Sequence, residues 1–202
     1  DALGVLDETA VLVSSDHGEA LGELGVYSDH QAADEPTCHI PAVLRWPGVA
    51  PAVHDGLQYH LDIAATTLSL AGLRVPRTWD GAPVDVGGPG RDHLVLSQGA
   101  WACQRGVRLG DHLYLRTGHD GYHGHWDDEM LFDVVADPHE TTDLLAAEPR
   151  LARRAADVLE TWTADQLDRT GGEDPMDTVR REGGPYHVRR HLGPYLQRLR
   201  ST

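Results

Sequence analysis

Residues that can do chemistry follow directly on a short apolar run near the start of the chain. Residues 9–13 are followed by Asp16, His17, Gly18 and Glu19. The run predicts a strand buried on both faces, as in a parallel sheet, and ligands of open α/β sheets bind at the carboxyl ends of such strands. A carboxylate and an imidazole can share one divalent cation, and Gly18 would let the backbone turn so that both converge. The alternative is a polar turn, because Asp and Gly are ordinary turn residues.

A second group of candidate residues lies in a glycine-rich loop at residues 117–126. The loop contains His119, Asp120, His123 and His125. Three interpretations stay open: a second metal site, a loop at the mouth of an active site that contacts substrate, and a surface loop without a binding role. Loops often carry function, and we take His119 and His123 as the substrate-binding candidates.

The elements that must position these residues indicate an α/β fold. We expect strands at residues 9–14 and 42–46, and a short strand at 57–61. A helix is predicted at residues 63–71, capped by Asp62 and ended by Gly72. Residues 93–97, 102–108, 112–116 and 130–134 predict an antiparallel meander. A helix from Pro149 to about residue 169 has an apolar stripe that would pack on that sheet.

The division of the chain follows from its composition. A stretch rich in Pro and Gly at residues 74–92 predicts a boundary between a region at 1–75 and a sheet-and-helix region at 92–170. Residues 171–202, which include Arg180, Arg181, Arg189 and Arg190, are predicted to form a C-terminal arm.

The charge and composition limit the classes of function. The 202 residues carry 32 acidic and 17 basic side chains, a net charge of −15, and 40% are hydrophobic. The acidic balance argues against a nucleic-acid partner, and no apolar stretch approaches the roughly 20 residues that span a membrane. Two cysteines without close spacing support neither a disulfide framework nor a zinc site. The sequence does not assign a compartment.

Four segments, in order, resemble the type I sulfatases of the alkaline phosphatase superfamily. The first is the Asp-His-Gly-Glu stretch with its continuation to residue 27, and the second is His-Ile-Pro-Ala-Val-Leu-Arg-Trp-Pro-Gly at 39–48. The third is the helix at 62–72, and the fourth is Leu-Phe-Asp at 131–133 with Ala-Asp-Pro-His-Glu at 136–140. The resemblance covers about residues 7–150. It implies an alkaline-phosphatase-like core fragment, with part of a mixed sheet and flanking helices, followed by a small antiparallel sheet and a C-terminal helix.

The resemblance also shows what this chain lacks. Family members carry a Cys-x-Pro-x-Arg motif, or its Ser form, whose Cys or Ser becomes formylglycine. Neither Cys38 nor Cys103 is followed by that pattern, and the paired N-terminal aspartates of the family's metal site are absent. We therefore expect the C-terminal portion of a longer sulfatase, inactive alone, whose partner is the remaining N-terminal portion.

The resemblance assigns roles to individual residues. Asp16 and His17 correspond to metal ligands; calcium is the family default, and a histidine ligand makes manganese, zinc or iron alternatives. Asp29-His30 aligns with a Lys-His pair, so His30 is expected to act as a general acid or sulfate contact, although Asp29 reverses the charge of the Lys. An imidazole pKa near ~6.5 suits proton donation.

The implied function is hydrolysis of a small-molecule sulfate ester. One alternative is a phosphonate or phosphate diester hydrolase of the same superfamily, which His17 favours. Another is a non-catalytic binding fragment that kept half of the site.

Overall fold

The computed structural model describes residues 2–85, 87–121 and 123–182, and it divides them into two units. One unit combines the residues up to His17 with Ile40–Leu94, and the other combines Gly18–His39 with the described residues from Val95 onward. Each unit is therefore discontinuous in sequence. The sequence-based bounds of 1–75, 92–170 and 171–202 stay a prediction, and Arg189 and Arg190 lie outside the described residues.

The first unit contains a two-stranded antiparallel sheet and a helix. Strands β1 (Val11–Ser14) and β4 (Ala42–Arg45) pair with Val13 opposite Val43. The prediction of a strand buried on both faces in a parallel sheet is wrong for the described chain, because Leu12 is 47% and Val13 is 56% exposed. An apolar run indicates that a strand is to be buried. It predicts neither the direction of the strand in its sheet nor the element that packs on it.

Helix α2 (His60–Leu70) begins earlier than expected, and Asp62 is not its N-cap residue as predicted. Tyr59 is the N-cap, and Asp62 is the third helical residue, whose carboxylate accepts from the Tyr59 N–H at 2.7 Å. Asp62 is fully buried, and it also accepts from the Ala82 N–H and from the Arg91 guanidinium. The predicted strand at 57–61 is reduced to a single bridge between Leu57 and Arg91.

The second unit is built on a four-stranded antiparallel meander, as the turn spacing predicts. Its strands are β5 (Leu94–Gln98), β6 (Cys103–Leu109), β7 (His112–His119) and β8 (Glu129–Asp133), in the order β5-β6-β7-β8. Two helices follow, α3 (Pro149–Thr170) and α4 (Pro175–Glu182). Among the described residues, no helix combines the length and the apolar character that crossing a bilayer requires.

Both faces of this sheet are covered. Alternation along β7 sends Tyr114 to one face, where it joins Ala155 and Leu159 of α3 in one apolar cluster. Leu113 and Leu115 enter a second cluster on the other face. The stripe predicted for α3 is therefore confirmed as its packing surface.

The segment Gly18–His39 supplies the cover on that second face. It contains β2 (Ala20–Leu21), β3 (Tyr27–Asp29) and the short helix α1 (Glu35–Cys38), with a 3-10 turn at Glu23–Gly25. Its buried apolar residues are Ala20, Val26, Ala32 and Ala33. Buried Gln104 of β6 fixes it further, because its Oε1 accepts from the Ala33 N–H at 2.8 Å.

Candidate functional site

The end of β1 brings Asp16 and His17 together. Asp16 Oδ1 accepts from the His17 N–H at 3.0 Å, and Asp16 Oδ2 lies 3.8 Å from His17 Nε2. Ser15 Oγ donates to the His17 carbonyl at 2.6 Å, which closes a tight turn after the strand. The backbone N–H of His17 lowers the pKa of Asp16, so that its carboxylate is charged at neutral pH. A charged oxygen donor beside an imidazole nitrogen is a donor set that divalent cations accept.

Gly18 is required next to this pair for a reason other than the one expected. Its φ is not in the left-handed region. Instead, its N–H donates to the Thr37 carbonyl at 2.7 Å, and a Cβ at this position would overlap the carbonyl oxygen of Pro36. The glycine therefore allows close approach of two backbones rather than a sharp turn.

His30 lies in the second unit between two carboxylates. Its Nδ1 is 3.4 Å from Asp29 Oδ1 and 3.7 Å from Glu19 Oε2. Its backbone is held from both sides: the His30 N–H donates to Asp29 Oδ1 at 2.8 Å, and its carbonyl accepts from Gln98 Nε2 at 2.5 Å. The acid at position 29 thus holds the His30 backbone and lies beside its imidazole, and Glu19 is a second neighbour that sequence reasoning did not identify.

A hydrogen-bonded path joins the neighbourhood of His30 to the histidine-rich loop. Gln31 Nε2 donates to Asp29 Oδ2 at 2.5 Å, and Gln31 Oε1 lies 2.9 Å from His123 Nε2. Gln31 is buried, and His123 stacks on Trp126 with ring centroids 4.6 Å apart. Burial, and then the nearby His125, lower the pKa of His123, so that its imidazole is neutral at pH 7.

The other histidines of the loop do not form a second metal site in the described chain. His125 places its Nδ1 and Nε2 at 2.9 and 3.0 Å from the carbonyls of His123 and Leu24. His119 Nδ1 accepts from the Gly121 N–H at 3.1 Å, apart from the path through Gln31. Within residues 2–85, 87–121 and 123–182, no metal-ligand group includes His119, Asp120, His123 or His125.

Comparison with known proteins places the chain in a family. A model described as Sulfatase matches residues 1–73. Over 155 residues the chain is 34% identical to a choline-sulfatase of Rhizobium meliloti, an alignment that covers 72% of this chain and 28% of that protein. The chain belongs to the sulfatase family.

Other relatives extend this result. Human arylsulfatase K is 27% identical over 161 residues, which cover 74% of this chain and 30% of that protein. This chain therefore spans three tenths or less of the length of each of these two relatives. The likeness in sequence lies within the type I group that the four segments predicted.

Solved structures confirm the α/β fold. A protein solved with its substrate D-glucosamine-2-N,6-O-disulfate superposes with a TM-score of 0.69 at 22% identity, over 87% of this chain and 37% of that one. The phosphonate monoester hydrolase of Agrobacterium radiobacter superposes with a TM-score of 0.62 at 21% identity, over 82% of this chain and 37% of that one. At these identities the likeness concerns the fold.

Proposed function

We propose that the protein containing this chain hydrolyses sulfate esters, and that this chain supplies part of its metal and substrate site. The observation that carries the proposal is the ionised Asp16 paired with His17 at the end of β1, in a chain whose curated relatives are sulfatases. The nucleophile, a formylglycine by family resemblance, would come from the N-terminal portion outside this chain.

Asp16 and His17 are the proposed metal ligands. The residues fit a cation, because the carboxylate is charged, one of its oxygens is 3.8 Å from the imidazole, and both side chains are accessible. Calcium is the family default, and a nitrogen ligand favours manganese or zinc. A bound cation would supply Lewis-acid polarisation of the sulfuryl oxygens.

His30 is the proposed general acid or sulfate contact, and His119 and His123 are the proposed substrate contacts. Asp29 and Glu19 flank the His30 imidazole, with carboxylate oxygens 3.4 and 3.7 Å from its Nδ1, and would position it beside a substrate. His123 is neutral, and its Nε2–H donates to Gln31 Oε1, so a contact with an uncharged hydroxyl of a substrate would be accepted by its Nδ1 lone pair.

The test compares Asp16→Asn with Asp157→Asn in the full-length protein. Asp157 is an exposed acid of α3, remote in sequence from the proposed ligands. Asp16→Asn is expected to lower metal affinity and kcat/KM for an aryl sulfate by about 100-fold or more, because even outer-sphere partners of metals contribute 10- to 100-fold. Metal content by mass spectrometry and sulfate release are the measurements.

The control variant should keep both its metal and its activity. Full metal occupancy and unchanged turnover in Asp16→Asn would overturn the assignment of this residue as a ligand. If Asp16→Asn keeps its metal but no longer releases sulfate, Asp16 contributes to sulfate release without being required as a metal ligand.

A phosphonate or phosphate diester hydrolase is the second candidate. The observations that favour it are His17 in place of an amide ligand and the likeness in fold to a phosphonate monoester hydrolase. Comparing kcat/KM of the full-length protein for an aryl sulfate and an aryl phosphonate monoester decides between the two. Faster cleavage of the phosphonate would replace our first proposal.

A further inference from the structure

Two buried carboxyl groups lie in the region where the loop after β8 contacts α1. Glu140 is 5% exposed and Asp34 is fully buried. Glu140 Oε1 accepts from the Glu35 N–H at 2.7 Å, and Asp34 Oδ1 accepts from the Thr37 N–H at 3.2 Å. Their other oxygens, Glu140 Oε2 and Asp34 Oδ2, are buried without a hydrogen-bond partner. Leaving a buried charged oxygen without a partner is far more costly than leaving a neutral one.

The nearby cations are engaged by a different acid. Arg108 Nε lies 3.2 Å from Glu35 Oε2, and its NH1 group donates to the Gly110 carbonyl. His39 Nδ1 lies 3.0 Å from Glu35 Oε1. Arg108 and His39 therefore contact the two different carboxylate oxygens of Glu35, and neither of these contacts is with Glu140 or Asp34.

Among the described residues, the other charged groups that act on Glu140 are acidic, and the Cys38 thiol nearby is neutral. Glu23 of the 3-10 turn faces it, but His139 Nδ1 holds the Glu23 carboxylate at 2.7 Å. The Cys38 thiol of α1 is also close, and burial followed by the charges of Asp34, Glu35 and Glu140 raises its pKa to about 12, so that it stays protonated.

The electrostatic consequence is that each of the two buried carboxyls resists ionisation. Burial raises the pKa of Glu140 to about 8, with Asp34, Glu35 and Glu23 adding to the effect. Burial raises the pKa of Asp34 as well. Glu140 therefore retains its proton well above the pH at which an exposed carboxyl loses it.

The backbone at Glu140 is strained in addition. Its φ is +52°, in the left-handed region that residues with a side chain rarely adopt. Such a conformation persists only where the surroundings hold it; here the Glu140 N–H donates to the Asp137 carbonyl at 3.0 Å, and its side chain accepts from the first residue of α1.

We propose that Glu140 and Asp34 form a proton-operated latch that fastens the segment Gly18–His39 onto the four-stranded sheet. With a proton on the pair, Glu140 binds the N-terminus of α1 as a neutral acid. When the proton is lost to solvent, one more negative charge is left among Asp34, Glu35 and Glu23, and the segment opens more readily. The proposal does not depend on the proposed hydrolytic function, although the segment also carries Glu19 and His30.

The direction of the pH effect follows from the shift. The folded pKa of Glu140 lies above its unfolded value of 4.5, so its contribution to holding the segment is fully present below about pH 4.5. That contribution falls as the pH rises and is lost when the pH passes through about 8. Between these values the loss of one proton on opening is linked to pH, so the protection of the segment against hydrogen exchange falls by up to about tenfold per pH unit.

The experiment is hydrogen exchange of the intact protein, read by mass spectrometry on peptides from Gly18–His39 and from α3. After correction for intrinsic exchange, the wild type should lose protection in Gly18–His39 between pH 6 and pH 9 by at least roughly tenfold, while α3 stays constant. Glu140→Gln keeps the shape and the acceptor oxygen but cannot ionise, so its protection should not vary with pH. Glu173→Gln, at an exposed acid of the same unit, should behave like the wild type.

Equal pH dependence in the wild type and Glu140→Gln would overturn the latch. If Glu140→Gln does not fold, the wild type alone decides. An infrared carbonyl band of a protonated, buried carboxylic acid at pH 7 that disappears above pH 9 supports the proposal, and absence of that band overturns it.

Discussion

The amide side chain of Gln31 connects candidate residues of the second unit that are far apart in sequence. Gln31 donates to Asp29 and meets His123, which lies 92 positions further along the chain. The imidazole of His30 and the histidine-rich loop are thereby joined through short polar contacts. A glutamine with this role has no distinguishing sequence signal, because its importance comes from two contacts that only the folded chain creates.

Replacing Gly18 by alanine tests the close approach beside Asp16 and His17. The added Cβ meets backbone at Pro36, which can yield only by shifting α1. We expect Gly18→Ala to lower the free energy of unfolding by about 1 to 3 kcal/mol, measured by urea denaturation. Gly172→Ala is the control, since a Cβ there would make only an ordinary contact with Thr170 Oγ1 at 3.8 Å and its φ is not left-handed, so it should change stability by less than about 0.5 kcal/mol. Equal effects of the two would contradict the packing argument.

Asp62 gives a prediction with a defined pH dependence. Burial opposes its ionisation, but the Arg91 guanidinium and two backbone N–H groups prevail and lower its pKa below 3.8. Its contribution is therefore present above about pH 3.8 and is lost as the pH falls through the lowered pKa. Asp62→Asn should cost about 2 to 3 kcal/mol at pH 7, and the difference from wild type should shrink in acid.

Urea denaturation at pH 7 and at pH 3 measures that difference. Asp55→Asn, at an exposed acid of the same unit, is the matched control and should leave the stability unchanged at both values. A difference for Asp62→Asn that is as large in acid as at neutral pH would show that the charge of Asp62 contributes nothing.

At the scale of elements, the sequence predicted what local patterns determine. The meander and α3 were predicted because short turns set strand order and a helical stripe marks a packing face. Asp62 was placed at the wrong helical position, because an acid that accepts from the N-cap and an acid that is the N-cap look alike in sequence. The pairing of β1 with β4 was not predicted, since the residues between them give no signal of strand direction.

Leu159 tests the stripe of α3. Its side chain is 3% exposed within the apolar cluster that contains Tyr114. Leu159→Ala should lower the free energy of unfolding by about 2 to 5 kcal/mol, because it removes buried methyl groups and leaves a cavity. Thr161→Ala, two positions on and exposed, should stay within about 0.5 kcal/mol in the same denaturation experiment. A Leu159 variant as stable as this control would show that the helix does not depend on the cluster.

At the scale of the whole molecule, the two units differ in how completely they bury their apolar residues. The second unit encloses its sheet on both faces, whereas β1 and β4 of the first unit expose Leu12, Val13 and Val43. The curated relatives contain more than twice as much polypeptide as this chain. We propose that the N-terminal portion of the parent protein covers these strands.

Val13→Asp tests whether β1 is exposed in this chain and covered in the full-length protein. In the 202-residue chain the substitution should change stability by less than about 0.5 kcal/mol, because Val13 is 56% exposed. In the full-length protein it should destabilise by several kcal/mol, on the order expected for burying an unpaired charge. Thr161→Asp should be mild in both, and thermal unfolding is the measurement. A mild effect of Val13→Asp in the full-length protein would leave β1 uncovered there too.

The interleaving of the two units constrains synthesis on the ribosome. Residues 18–39 emerge before Ile40–Leu94, yet the unit to which they belong is completed by the residues from Val95 onward. The nascent chain therefore carries Val26, Ala32 and Ala33 without their partners while more than fifty further residues are translated. During that interval these apolar side chains are a natural target for a ribosome-associated chaperone, and slower elongation would lengthen the exposure.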